Sequence, residues 1–114
     1  MTLIAQTEFE QEIKKGVFRT VYFLHGPEEF LRRQALTLLR RSVLTPETLS
    51  FNYSEFSPRT SSIAEILGSA QTFPFGSPRR LVIVGDLEAL LAEGQNELVT
   101  YLERPFQKTV LVKF

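Results

Sequence analysis

The chain contains no cysteine, which excludes a disulfide framework and any thiolate metal site. Histidine is almost absent as well. His25 stands alone, so a zinc site has too few ligands to draw on. There is no excess charge of either sign, because 13 Lys and Arg balance 13 Asp and Glu. Phosphate contacts supply most of the affinity of a free-standing nucleic-acid binder and make such proteins basic. A neutral domain is therefore not expected to hold DNA tightly by itself. No apolar run approaches membrane-spanning length. Met1 to Gln6 lacks the cationic start and apolar core of a secretory signal. Internal repeats and low-complexity segments are missing too. These absences lead to the expectation of a soluble, cytoplasmic protein with no membrane partner, metal or cofactor. What remains is 114 residues, 43% hydrophobic and 23% charged, an ordinary globular composition at a length suited to one domain.

The apolar pattern alternates between strands and helices. Thr7-Glu8-Phe9-Glu10 fits a capping box for a first helix running to about Lys15, with Phe9 and Ile13 one turn apart on its inner face. Thr20 to Leu24 reads as a first strand, His25-Gly26-Pro27 as a turn, and Pro27 to about Ser42 as a second helix with Leu31, Ala35, Leu38 and Leu39 as its apolar stripe. Phe51 to Ser54 alternates and predicts an edge strand with one wet face. Ser62 to Glu65 is a second capping box, opening a helix to about Gln71. Leu81 to Val84 is a continuous apolar run, the mark of a strand buried on both faces. Asp86 is placed to cap a short helix through Leu91. Glu93-Gly94 then interrupts, and a further helix covers Gln95 to Leu102. Thr109 to Phe114 reads as a last buried strand. A core strand is an unusual place for a natural chain to stop, so these residues are expected to be a piece of a longer protein. The alternation predicts an α/β layer with a parallel sheet and right-handed crossovers, its two middle strands being the third and fourth.

A phosphate-binding loop belongs after the first strand of such a sheet. It needs glycines so that backbone N–H groups can wrap the phosphates, followed by Lys and Ser or Thr for charge and Mg²⁺. Counting from Gly26, Gly, Lys and Ser/Thr would fall at positions 31 to 33, where this chain has Leu31, Arg32 and Arg33. Glu28 and Glu29 would repel phosphate inside the turn. Asp86, just after the third strand, could hold Mg²⁺ in an NTPase. With no loop to share the metal, a helix-capping role suits it better. His25 has no acid, base or nucleophile partner in sequence and reads as a turn residue. Arg32, Arg33, Arg40 and Arg41 read as a solvated helix face, because the domain as a whole is neutral. An active NTPase or nucleotide kinase is therefore disfavoured.

The segment Gln71 to Pro78 is the unusual one, with Phe73 and Phe75 set among two prolines and a glycine. Pro74 limits Phe73 to extended conformations, which stiffens the platform beneath Phe75. The loop either presents these aromatics to a partner or folds them back over the end of the sheet, and physical reasoning from sequence leaves both open.

Several segments, in order and over nearly the whole chain, resemble the delta-subunit family of bacterial DNA polymerase III clamp loaders. They are Tyr22 to Leu31, Phe51-Asn52-Tyr53, Gln71 to Val82, and Tyr101-Leu102-Glu103 with Thr109 to Val112. The Pro74-Phe75-x-Ser77-x-Arg79-Arg80 block is the most specific of them. The resemblance implies a three-layer, P-loop-NTPase-like (AAA+-related) parallel sheet with flanking helices in strand order 1-4-3-2, its nucleotide site lost, with a further strand beyond the first supplied by sequence outside this chain. It also implies a non-catalytic N-terminal unit over residues 1–114, followed in the family by lid and collar domains. The partner it implies is the β sliding clamp, bound through Phe73, Pro74, Phe75 and Gly76 and opened for loading on DNA. Contacts with the gamma/tau and delta prime subunits, and with DNA, belong to the assembled complex. Phe75 takes the position of the family's first apolar anchor. The second falls on Gly76, which has no side chain. Either Phe73 stands in for it or the clamp is held by fewer contacts.

Overall fold

The computed structural model describes residues 6–24 and 29–113. Helix α1 (Gln6–Lys14) leads to strand β1 (Val21–Phe23), helix α2 (Glu29–Val43) and a single helical turn, α3 (Leu49–Asn52). Strand β2 (Tyr53–Phe56), helix α4 (Ile63–Ala70), strand β3 (Arg80–Val84), helix α5 (Ala92–Glu103) and strand β4 (Thr109–Lys113) follow, with a 3-10 turn at Leu87–Ala89 between β3 and α5. The four strands form one parallel sheet in the order β1-β4-β3-β2, the order the resemblance implied.

The reason for that order lies in the side chains. In β3, Leu81 and Ile83 face one layer while Val82 and Val84 face the other, so every residue of the strand is buried. In β4, Val110 and Val112 join the first layer and Leu111 the second. Strands apolar on both sides must be central, with helices covering both faces. Helices α1 and α2 cover the first face, contributing Phe9, Ile13, Ala35, Leu36, Leu39 and Val43. Helices α4 and α5 cover the second through Ile66, Ala70 and Tyr101. β2 is the half-wet edge strand expected from its alternation.

Four local expectations need correction. Helix α1 already includes Gln6, so it begins before the start expected after Thr7. Phe51 and Asn52 are not strand residues: the N–H groups of both turn back to the Thr48 carbonyl, at 3.1 and 3.2 Å, and the strand starts at Tyr53. Asp86 does not cap the following turn with its side chain; its backbone is left-handed, at φ 52°. Glu93-Gly94 does not interrupt a helix, since α5 runs straight through it. Gly94 is buried, and a Cβ there would meet Leu90 Cδ2 at 3.1 Å, so the glycine serves close packing between α5 and its neighbours. The capping box at α4 holds as expected, with Ser62 Oγ accepting from Glu65 N and Glu65 Oε1 accepting from Ser62 N.

Candidate functional site

Because all four strands are parallel, their starts share one end of the sheet and their finishes the other. The two candidate regions lie at opposite ends. The end of β1 and Asp86 after β3 stand at the finishing end, and the 71–79 loop stands at the starting end.

At the finishing end, Gly26 lies outside the described residues, as does the side chain of Leu31. Arg32 is half-buried on α2. Arg33 is exposed and donates to Glu29 Oε1 at 2.8 Å, an i, i+4 pair along the same helix. The Asp86 carboxylate accepts from Ser57 Oγ at 2.7 Å and lies 3.9 Å from Arg59 Nε. Arg59 also reaches Glu88, at 3.7 Å. Arg33, Arg59, Asp86 and Glu88 are thus held in ion pairs.

The starting end is built differently. Helix α4 finishes with its carbonyls satisfied from three sides. Thr72 Oγ1 donates to Gly68 O at 2.7 Å, Arg80 Nε to Ser69 O at 3.1 Å, and Thr109 Oγ1 to Ala70 O at 2.6 Å. The chain can then leave the helix abruptly without stranding acceptors. Arg80 is only 8% exposed, yet no carboxylate among the described residues bonds it. Its guanidinium also donates to Phe51 O at 2.9 Å and Ser69 Oγ at 3.2 Å, and burial lowers its pKa from the ordinary guanidinium value. Its planar fork ties α3 to the end of α4. Arg79, its neighbour in sequence, turns the other way and lies over the Phe18 ring, 5.3 Å from its centroid.

Asn52 completes the frame. Its side chain is fully buried. Oδ1 accepts from Phe75 N and Nδ2 donates to Phe75 O, both at 2.7 Å, and Nδ2 also donates to Thr48 O at 3.1 Å. The primary amide thus makes with Phe75 the reciprocal pair of bonds that two strands make with each other. Ser77 Oγ donates to Arg79 O at 3.0 Å and closes the far side of the loop. Gly76 sits at φ +68°, a conformation other residues adopt only with strain.

On this frame Phe73 and Phe75 are each 70% exposed, so the aromatics do not fold back under the sheet. Pro74 between them is half-buried. Phe73 meets Phe106 edge-on at 5.1 Å, whereas Phe75 lies against Phe51 at 5.5 Å. Phe51 is itself 58% exposed. The loop residues therefore come together with two rings that sequence reasoning did not assign to the site, and with two buried polar residues, Asn52 and Arg80, that hold it. The signal for Asn52 was a lone amide between aromatics in Phe51-Asn52-Tyr53. For Arg80 it was a charge opening the most apolar strand.

The parallel α/β sheet in this order, covered on both faces, is the AAA+-related fold that the resemblance implied, with an exposed aromatic loop at the strand starts. Among solved structures the chain matches a DNA polymerase III gamma subunit-related protein of Thermotoga maritima at TM-score 0.69 and 21% identity, over 95% of this chain and 38% of that one, a likeness of fold. It matches the Bacillus subtilis DNA clamp loader delta protein at TM-score 0.87 and 29% identity, over 96% of this chain and 34% of that one. In sequence it is 34% identical over 110 residues to DNA polymerase III subunit delta of Bacillus subtilis (strain 168), covering 90% of this chain and 32% of the relative. The family model for the DNA polymerase III delta subunit matches residues 22–114. The chain belongs to the DNA polymerase III delta subunit family. It spans about a third of the length of the relatives it matches.

Proposed function

We propose that these residues are the N-terminal, clamp-binding unit of a clamp loader delta subunit. In this reading the Phe73-Pro74-Phe75-Gly76 loop grips the β sliding clamp, and leverage from the rest of the subunit opens one clamp interface for loading on DNA. The observation that carries it is an aromatic loop, exposed at its tip, whose backbone is fixed by a buried amide. A rigid platform loses little freedom on binding, and an aromatic sunk into a partner pocket is the usual source of interface hot spots. The remaining two thirds of a family member carry the lid and collar domains that join the gamma/tau and delta prime subunits. DNA is met in the assembled complex, in the cytoplasm.

The unit works without hydrolysing ATP. Supporting this, position 33 holds an arginine engaged by Glu29 where a phosphate loop needs Ser or Thr, and the Asp86 carboxylate is occupied by Ser57 and Arg59. Surface plasmon resonance of the full-length subunit against the β sliding clamp of the same organism tests the reading. Phe75→Ala should weaken binding by roughly 30- to 1000-fold, which is about 2–4 kcal/mol. Circular dichroism should show an unchanged fold. Equal affinities for two well-folded proteins would refute it.

A further inference from the structure

We infer that Phe51, and not Phe73, supplies the second apolar anchor of this site, so that Phe51 and Phe75 enter the clamp pocket as one two-ring unit. The inference rests on the functional reading above and names the residue that completes it.

Position 76 is unsuited to the role. Gly76 is at φ +68°, and a Cβ there would meet Thr48 Cγ2 at 3.4 Å, so a side chain would start against the turn before α3. Phe73 is exposed but belongs elsewhere. Its ring contacts Phe106, which precedes β4, while Phe75 contacts Phe51, which precedes β2. β3 lies between those strands, so Phe73 and Phe75 pack toward opposite sides of its start, each on a different ring.

The Phe51–Phe75 pair has the better foundation. The rings lie 5.5 Å apart at 60°, and both are more than half exposed. Their backbones are locked together from below. Asn52, the residue after Phe51, bonds both Phe75 N and Phe75 O at 2.7 Å, and Arg80 holds Phe51 O at 2.9 Å. The spacing of the rings is therefore set before any partner arrives. Phe51 lies just before β2, the edge strand of the sheet. Two touching rings offer one continuous apolar surface, which suits a pocket wider than a single side chain.

A double-mutant cycle on the full-length subunit tests this against the same β sliding clamp, with thermal unfolding followed for every variant. Phe51→Ala should weaken binding about tenfold or more, and Phe51→Tyr, which keeps the ring, should restore most of it. The double variant Phe51→Ala, Phe75→Ala should lose less than the product of the single losses, because the rings act together. Phe73→Ala should cost less than about threefold. If Phe75→Ala itself leaves affinity unchanged, the functional reading fails. If Phe75→Ala weakens binding while well-folded Phe51→Ala or Phe51→Tyr behaves contrary to expectation, the two-ring unit alone is lost. Strictly multiplicative losses, or a Phe73→Ala loss as large as that of Phe51→Ala, would also overturn it.

Discussion

The two ends of this sheet use the same kinds of residue to opposite effect. At the finishing end the charged groups meet each other in solvent: Arg33 with Glu29, and Arg59 with Asp86 and Glu88. At the starting end the polar groups are buried, and they bond to backbone: Asn52 to Phe75, Arg80 to Phe51 and Ser69. Exposed ion pairs add little to stability and hold little in place. Buried bonds to main-chain groups are costly to leave unmade, so they fix geometry. The difference teaches where a contact surface can be built, since rigidity lies at the end that carries the exposed aromatics.

The largest effect that would break this comparison is expected at Arg80. Arg80→Met removes the donors to Phe51 O and Ser69 O; Ser69 O keeps Thr72 N at 3.2 Å, while Phe51 O loses the guanidinium, costing roughly 1–3 kcal/mol of stability. Urea unfolding measures it, and a loss below about 0.5 kcal/mol would mean the guanidinium is not holding α3 in place. A smaller effect belongs to Gly76. Gly76→Ala forces a Cβ into a left-handed backbone, which should cost about 1 kcal/mol. An unchanged midpoint in the same titration would show that the loop relaxes freely. At the finishing end, Asp86→Gly relieves a left-handed non-glycine residue while losing the exposed bond from Ser57, and the two should cancel to within about 0.5 kcal/mol. A large loss there would give that end a rigid core of its own. The smallest expected effect is none: titrating Mg-ATP in a calorimeter should give no saturable heat. Micromolar binding would erase the contrast between the ends.

The sheet was largely legible in sequence because its central strands are apolar on both faces, a pattern with few alternatives. The capping box at Ser62 was legible because its partner lies three residues away. The strand order, by contrast, came from the family resemblance, since residue pattern alone places β3 and β4 centrally without ordering the rest. Phe51 and Asn52 were misread for a physical reason. Four residues of alternation fit a strand, and only contacts 23 residues away, at Phe75, show why a helical turn is needed to aim the amide inward. Gly94 was misread because a glycine that permits close packing looks in sequence like one that breaks a helix. Asp86 was assigned the bonding of a cap, while its carboxylate instead reaches back to Ser57, 29 residues earlier.

The amide of Asn52 behaves as a one-residue strand bonded to the loop, and this has a consequence for variation. The loop's shape is recorded in the residue that grips it and not in the side chains at its tip. Those tips are then free to be exchanged, as fittings on a fixed mount, without disturbing the mount itself. Exposed rings could then be changed one at a time, each trial starting from the same backbone.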